Sequence, residues 1–234
     1  MATLLLRLAG PLQSWGTQSR FSNRDTDLEP SKSGVIGLLC AAMGIPRNDT
    51  QRLAELAVLK MGVRVDRQGT IKKDYQTALN VAKAGGGKPK ECEPSERFYL
   101  SDACFLVAFQ GEFTLLQKLN NALQNPFWQL SLGRKAFVPV LPVYLRDGLL
   151  PDFSSLSEAL VGYPYLLPHS KTATDRLRLE IELDFGEPYD RIKQDQPISF
   201  VSDNRQFSLR YLRTAMVTIK DLPAAKEESC IFLA

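Results

Sequence analysis

Hydrophobic positions near the start of the chain recur with a period of two. Leu4, Leu6 and Leu8 alternate with Leu5, Arg7 and Ala9, which predicts a strand with one apolar face and one mixed face. Gly10-Pro11 ends it, because proline donates nothing to a ladder and glycine permits the turn. The loop Leu12 to Gly16 then carries Trp15 beside bare backbone. Two readings stand for that indole: a shelf offered to a ligand, or a ring that seals the core edge.

The period lengthens after Pro30-Ser31-Lys32-Ser33-Gly34. Val35 to Met43 reads as a helix with Ser31 or Ser33 as its N-cap and Gly44 as its stop. Gly34, Gly37, Ala41 and Ala42 give it a small-residue face fit for close packing on a sheet. A second helix spans Thr50 to Leu59, and Met61 to Val65 alternates as a strand. Residues 67–96 break the pattern with Gly85-Gly86-Gly87, Pro89, Pro94 and many lysines around the strand-like Tyr75 to Val81. A structureless loop of that length is rare in a compact domain, so a projecting β-hairpin with a glycine tip is predicted.

Arg97 to Phe109 reads as a strong strand and Thr114 to Leu123 as a helix, with Leu115, Leu116, Leu119 and Leu123 on one face and Pro126 as its stop. Phe137–Val140 and Val143–Leu145 are short extended pieces interrupted by prolines, as edge strands are. The order β-α-β-(insertion)-β-α-β is that of a ferredoxin-like sheet, an α+β fold. Beyond it come a short helix near Ser155–Leu160 and strands at Arg176–Phe185, Ile198–Val201 and Phe207–Ile219. The predicted organisation is a ferredoxin-like domain over residues 1–147, with a thumb inserted at about 67–97, and a smaller β-rich region over 148–234 packed on it.

The 234 residues are 44% hydrophobic and 24% charged, ordinary for a soluble globular protein. No apolar run approaches the ~20 residues of a membrane span, and the N-terminus lacks the features of a secretory signal. Cys40, Cys92, Cys104 and Cys230 are scattered without metal-ligand spacing, which points to a reduced, cytoplasmic setting. His169 is the only histidine, so a multi-histidine metal site is excluded. No G-x-S-x-G elbow or complete phosphate loop is present, and no cofactor is called for.

Net charge is only +3, but Arg67 to Lys90 holds six basic residues and one acid, concentrating positive field in the hairpin. Two further features suit an anion. The helix start at Ser31-Lys32-Ser33 can hold a phosphate through free N–H groups, or is simply a cap. Gly133-Arg134-Lys135 joins backbone approach to two cations, or is a turn with solvated charges. Arg97 lies at the base of the hairpin.

Leu8 to Gly16, Ser31-Lys32-Ser33-Gly34 with Gly37-Leu38-Leu39, Gly44-Ile45 and Arg47-Asn48-Asp49 resemble the CasD family of type I-E CRISPR surveillance (Cascade) subunits. Asp74-Tyr75-Gln76-Thr77, Arg97 to Ala103 and Leu132-Gly133-Arg134-Lys135 extend the resemblance over most of residues 1–145. It implies a repeat-associated RNA-binding (RAMP) fold of RRM-type ferredoxin-like topology. It further implies a thumb that bends CRISPR RNA, and a subunit that caps the 5′ handle. The partners implied are the crRNA, the CasC backbone subunit and the large CasA subunit, with target DNA reached only through the complex and no membrane. A related branch cuts precursor RNA with tyrosine, lysine and histidine. Here Ala136 follows Lys135, which favours a non-catalytic subunit and leaves cutting to CasE. The alternative is a metal-independent endoribonuclease using Tyr75 or Tyr99, Lys135 and His169. RNA contacts are expected from Gln13, Ser14, Trp15, Gly16, Arg24, Lys32, Ser33, Lys72, Lys73, Tyr75, Gln76, Arg97, Arg134 and Lys135.

Overall fold

The alternating N-terminal segment forms β1 (Ala2–Ala9), the second-from-edge strand of the main sheet. The computed structural model describes residues 1–19, 22–83, 85–152, 155–167 and 175–224. His169 and Cys230 lie outside them. After β1 come β2 (Leu12–Gln13), β3 (Asn23–Arg24), α1 (Lys32–Met43), α2 (Thr50–Ala57) and β4 (Lys60–Arg67). The hairpin strands β5 (Thr70–Val81) and β6 (Lys90–Ser101) follow, then β7 (Cys104–Gly111), α3 (Phe113–Gln124) and β8 (Tyr144–Leu150). The chain closes with α4 (Leu156–Val161), β9 (Arg176–Glu182), β10 (Arg191–Ser199) and β11 (Gln206–Thr218).

The result is a mixed α+β protein built on an antiparallel seven-stranded sheet, in the order β10-β11-β9-β4-β7-β1-β8. The C-terminal strands thus lengthen the same sheet, with β9 pairing directly to β4. At β1 both faces of the sheet are covered. Leu4, Leu6 and Leu8 pack with residues of α1, α2 and α3 on one side. Leu5 packs with Leu106, Ala108 and the α4 residues Leu156, Ala159 and Leu160 on the other. The face of β1 that reads as mixed is therefore also largely buried, because α4 crosses it. The predicted extended piece Phe137–Val140 is irregular, and β8 starts later, at Tyr144.

Strand β10 has an inverted pattern. Its buried positions are Lys193, Asp195, Pro197 and Ser199, while Ile192 and Ile198 are exposed. Ion pairs replace the apolar face. Lys193 Nζ lies 2.6 Å from Glu29, and the Arg210 guanidinium is bound to Asp195 at 2.8–2.9 Å. Pro197 is tolerated because β10 is an edge strand whose register shifts on both sides of it.

A second, smaller sheet carries the thumb. Strand β6 pairs antiparallel with β5 along the hairpin, and at its base it pairs with β2 and, in parallel, with β3. Twelve residues in each arm, at about 3.3 Å per residue, give the hairpin a reach of ~40 Å. Most of β5 is exposed.

Candidate nucleic-acid interface

Strand β6 is the spine of the site. Arg97 stands opposite Asp74 of β5 and beside Arg24 of β3. Directly opposed residues share a face and side chains alternate, so Lys72, Asp74, Gln76, Arg97 and Tyr99 face one way. Lys73 and Tyr75 face the other. On that reverse side Lys73 pairs with Glu96 at 2.8 Å and lies 6.0 Å from the Phe98 ring centroid, while Tyr75 is 68% exposed.

The second wall is the turn 132–137. Ser14 N–H donates to Leu132 O (3.0 Å), Leu132 N–H to Phe137 O (2.7 Å), and Phe137 N–H to Arg134 O (2.9 Å). This folds the segment tightly against the end of β2. Gly133 is required there: its φ is +93°, and an added Cβ would lie 1.8 Å from Ser14 O. The turn places Arg134 at the thumb base, where Nη2 donates to Phe98 O (2.8 Å) and Arg24 O (3.3 Å). Its guanidinium carbon lies 5.4 Å from the Phe137 ring centroid, and Tyr99 packs on that ring at 5.8 Å.

Between the walls is a cleft of about 400 Å³, lined by Arg24, Arg97, Arg134 and Lys135 together with Asp74, Gln76, Ala136 and Phe137. Burial pushes the Arg134 pKa below its usual value, and the neighbouring Arg97 and Arg24 charges push it the same way. Four cations against one carboxylate concentrate positive potential in a concave site. Arg134 is held by two carbonyls and an aromatic ring, so it presents a fixed plane as well as a charge.

Five of the predicted residues thus converge: Arg24, Gln76, Arg97, Arg134 and Lys135. Lys72 shares the Asp74 face of the hairpin, whereas Lys73 and Tyr75 occupy its reverse. Gly16 is exposed and Ser33 half-buried.

Four predicted contacts are corrected, because their polar groups are used inside the protein. Trp15 is 1% exposed, and its indole N–H donates to Gln13 Oε1 at 3.1 Å. Of its two readings, the core ring is the one realised. An added Cβ on Gly34 would come within 2.9 Å of that ring, so α1 needs glycine there to approach it. Gln13 is fully buried and donates to Leu8 O and Ala103 O (3.2 and 2.8 Å). Ser14 is buried beneath the 132–137 turn. Lys32 is 1% exposed and pairs with Glu182 at 2.8 Å. The α1 N-terminus already holds an anion of its own, since Lys32 N–H donates to Asp195 Oδ2 at 2.8 Å. It is not open to phosphate.

Sequence reasoning missed three cleft residues as contacts, Asp74, Ala136 and Phe137. Alternation with Lys72 and Gln76 was the available signal for Asp74; nothing local marked Phe137. Of the residues considered for RNA cutting, Tyr99 packs on Phe137, Tyr75 lies on the reverse face, and His169 is outside the described residues.

Residues 3–213 match the family model described as CRISPR-associated protein (Cas_Cas5). The CRISPR system Cascade subunit CasD of Escherichia coli (strain K12) is 34% identical over 155 residues, which cover 61% of this chain and 69% of that protein. A structure titled "Crystal structure of Cas protein" is 43% identical with a TM-score of 0.75, covering 95% of this chain and 98% of its own. A chain of a structure titled "CRISPR RNA-guided surveillance complex" is 33% identical with a TM-score of 0.77, covering 97% of this chain and 95% of its own.

Proposed function

We propose, from the premise that this chain belongs to the CRISPR-associated Cas5 family, that it is a non-catalytic RNA-binding subunit of a type I-E surveillance complex. Its task is to cap the repeat-derived 5′ handle of the crRNA. The observation that carries this is the cationic cleft between the thumb base and the 132–137 turn. An irregular single strand is held by cations on its phosphates and by aromatic or arginine planes on its bases, and the cleft supplies both. The exposed thumb is long enough to reach an adjacent subunit, and we assign it to the CasC contact, with CasA docking nearby.

The same reading makes the first part of the chain a ferredoxin-like RAMP domain. The sub-order β4-β7-β1-β8 is the 2-3-1-4 order of a split βαβ sheet, which supports it. Residues 1–147 are then the RNA-facing unit, and 148–234 a smaller β-rich region that braces it through β9 and α4. Among the described residues no helix is long and apolar enough to cross a membrane, and we assign the protein to the cytoplasm.

Reconstituting the complex with and without this chain tests the reading. Ribonuclease treatment is expected to leave the 5′ handle intact only when the chain is present, and the chain alone is expected to leave repeat RNA uncut. Equal handle protection in its absence overturns the assignment, and cleavage by the purified chain overturns its non-catalytic part.

A further inference from the structure

The cleft contains a carboxylate that a plain phosphate site does not call for. Asp74 is half-buried on the cleft face of β5, opposite Arg97, yet it makes no ion pair within 4 Å among the described residues. An acid facing a polyanion weakens binding unless it meets a donor on the ligand. The donors on RNA that a carboxylate can accept from are base N–H groups and ribose hydroxyls. Arg134 settles which part of the nucleotide is brought there. Its Nη2 is engaged with two backbone carbonyls and its plane is fixed over Phe137. That plane is suited to stacking a base more than to following a phosphate.

We infer that the cleft holds one unstacked nucleobase against Arg134 and that Asp74 selects guanine. This rests on the RNA-binding reading above and names the base specificity of the same site. A carboxylate can accept two parallel N–H bonds from guanine, at N1 and N2, in the bidentate manner of an arginine fork. Adenine and cytosine offer one amino group beside a ring-nitrogen acceptor, which repels the second oxygen. Uracil offers one N–H between two carbonyls. The resulting order is guanine first, adenine and cytosine next, uracil last. Gln76, two residues along on the same face, has an amide that can donate to guanine O6. Arg24, Arg97 and Lys135 hold the flanking phosphates.

The test measures binding of short oligouridine RNAs carrying one central guanine, inosine, adenine, cytosine or uracil, by fluorescence anisotropy, to wild type, Asp74→Asn and Asp74→Ala. Wild type is expected to prefer guanine over uracil by roughly tenfold, the discrimination a good bidentate pair supplies. Inosine, which lacks the N2 amino group, is expected to fall between. Both variants are expected to bind the all-uridine RNA at least as tightly as wild type while the preference collapses. Equal binding of all bases by wild type overturns the inference and leaves the RNA-binding reading standing. So does a guanine preference that survives in both variants, or a uniform loss across all RNAs, which would make Asp74 only a support for its arginine neighbours. Failure to bind any of the RNAs overturns both.

Discussion

Replacing Trp15 with phenylalanine separates a core indole from an RNA-stacking one. Phenylalanine shortens the ring system whose outer ring packs on Gly34 of α1, the indole N–H is gone, and Gln13 Oε1 loses the donor it had at 3.1 Å. Gln13 cannot swing outward to find water, because it is fully buried and its Nε2 is held by Leu8 O and Ala103 O. An orphaned buried acceptor costs about 1–3 kcal/mol. The missing ring atoms add a cavity worth about 1–2 kcal/mol. A total near 3 kcal/mol corresponds to a Tm fall of roughly 6–12 °C for a chain of this size. Differential scanning calorimetry reads that fall. Anisotropy with single-stranded handle RNA, run well below both transitions, is expected to give a Kd within about twofold of wild type, since an energy of ~0.4 kcal/mol is all that twofold allows. An unchanged Tm with a tenfold weaker Kd would refute the reasoning and return the indole to the RNA.

Gly133→Ala is expected to dislodge the turn that carries Arg134 and Lys135, because of the positive φ and the clash with Ser14 O. RNA affinity should fall more than tenfold while β-sheet circular dichroism persists; wild-type affinity would contradict the assigned role of the turn. Burial alone would push the Asp195 pKa up, but hydrogen bonds and charge from Arg210 and the bond from Lys32 N–H hold it below the ordinary value of 3.8. The sign follows directly: stability from this lowered pKa is present above the unfolded value and is lost as pH falls through the folded one. Melts between pH 6 and about pH 3 should therefore show a steeper acid loss in wild type than in Asp195→Asn, and parallel curves would contradict the pairing. Burial raises the Cys40 and Cys104 thiols to about 11 and about 12, whereas Cys92 is exposed. Maleimide at neutral pH should label Cys92 well before the other two, as peptide mass spectrometry would show; equal rates would contradict their burial.

Where apolar spacing decides the element, it was legible in the residues. Leu4, Leu6 and Leu8 marked β1, Leu116, Leu119 and Leu123 marked α3, and the glycines at 85–87 marked a hairpin tip. Strand β10 was not legible beyond its end, since Lys193 and Asp195 point inward and the isoleucines outward. Alternation cannot reveal the direction of a face whose burial is balanced by ion pairs from Glu29 and Arg210, which are distant in sequence. The same limit explains Lys32, a cation at a helix start whose partner Glu182 lies on β9. At the site, the cationic residues could be chosen by type and neighbourhood. Which face of the hairpin they occupied depended on the register of β5 against β6, so Lys73 and Tyr75 were grouped with Lys72 and Gln76 although they lie on opposite sides. Phe137 carried no local sign of its part, because its role comes from a turn closed by Gly133.

The most direct test of the central claim, that the thumb-base cleft is the RNA site, is the salt dependence of handle-RNA binding in an Arg97→Ala/Lys135→Ala variant. Each phosphate contact removed from a single strand lowers the slope of log K against log salt by ~0.7. A folded double variant is predicted to bind at least tenfold more weakly at physiological salt with a slope reduced by roughly 1.4. Wild-type affinity and slope in that variant would place the RNA elsewhere on the protein.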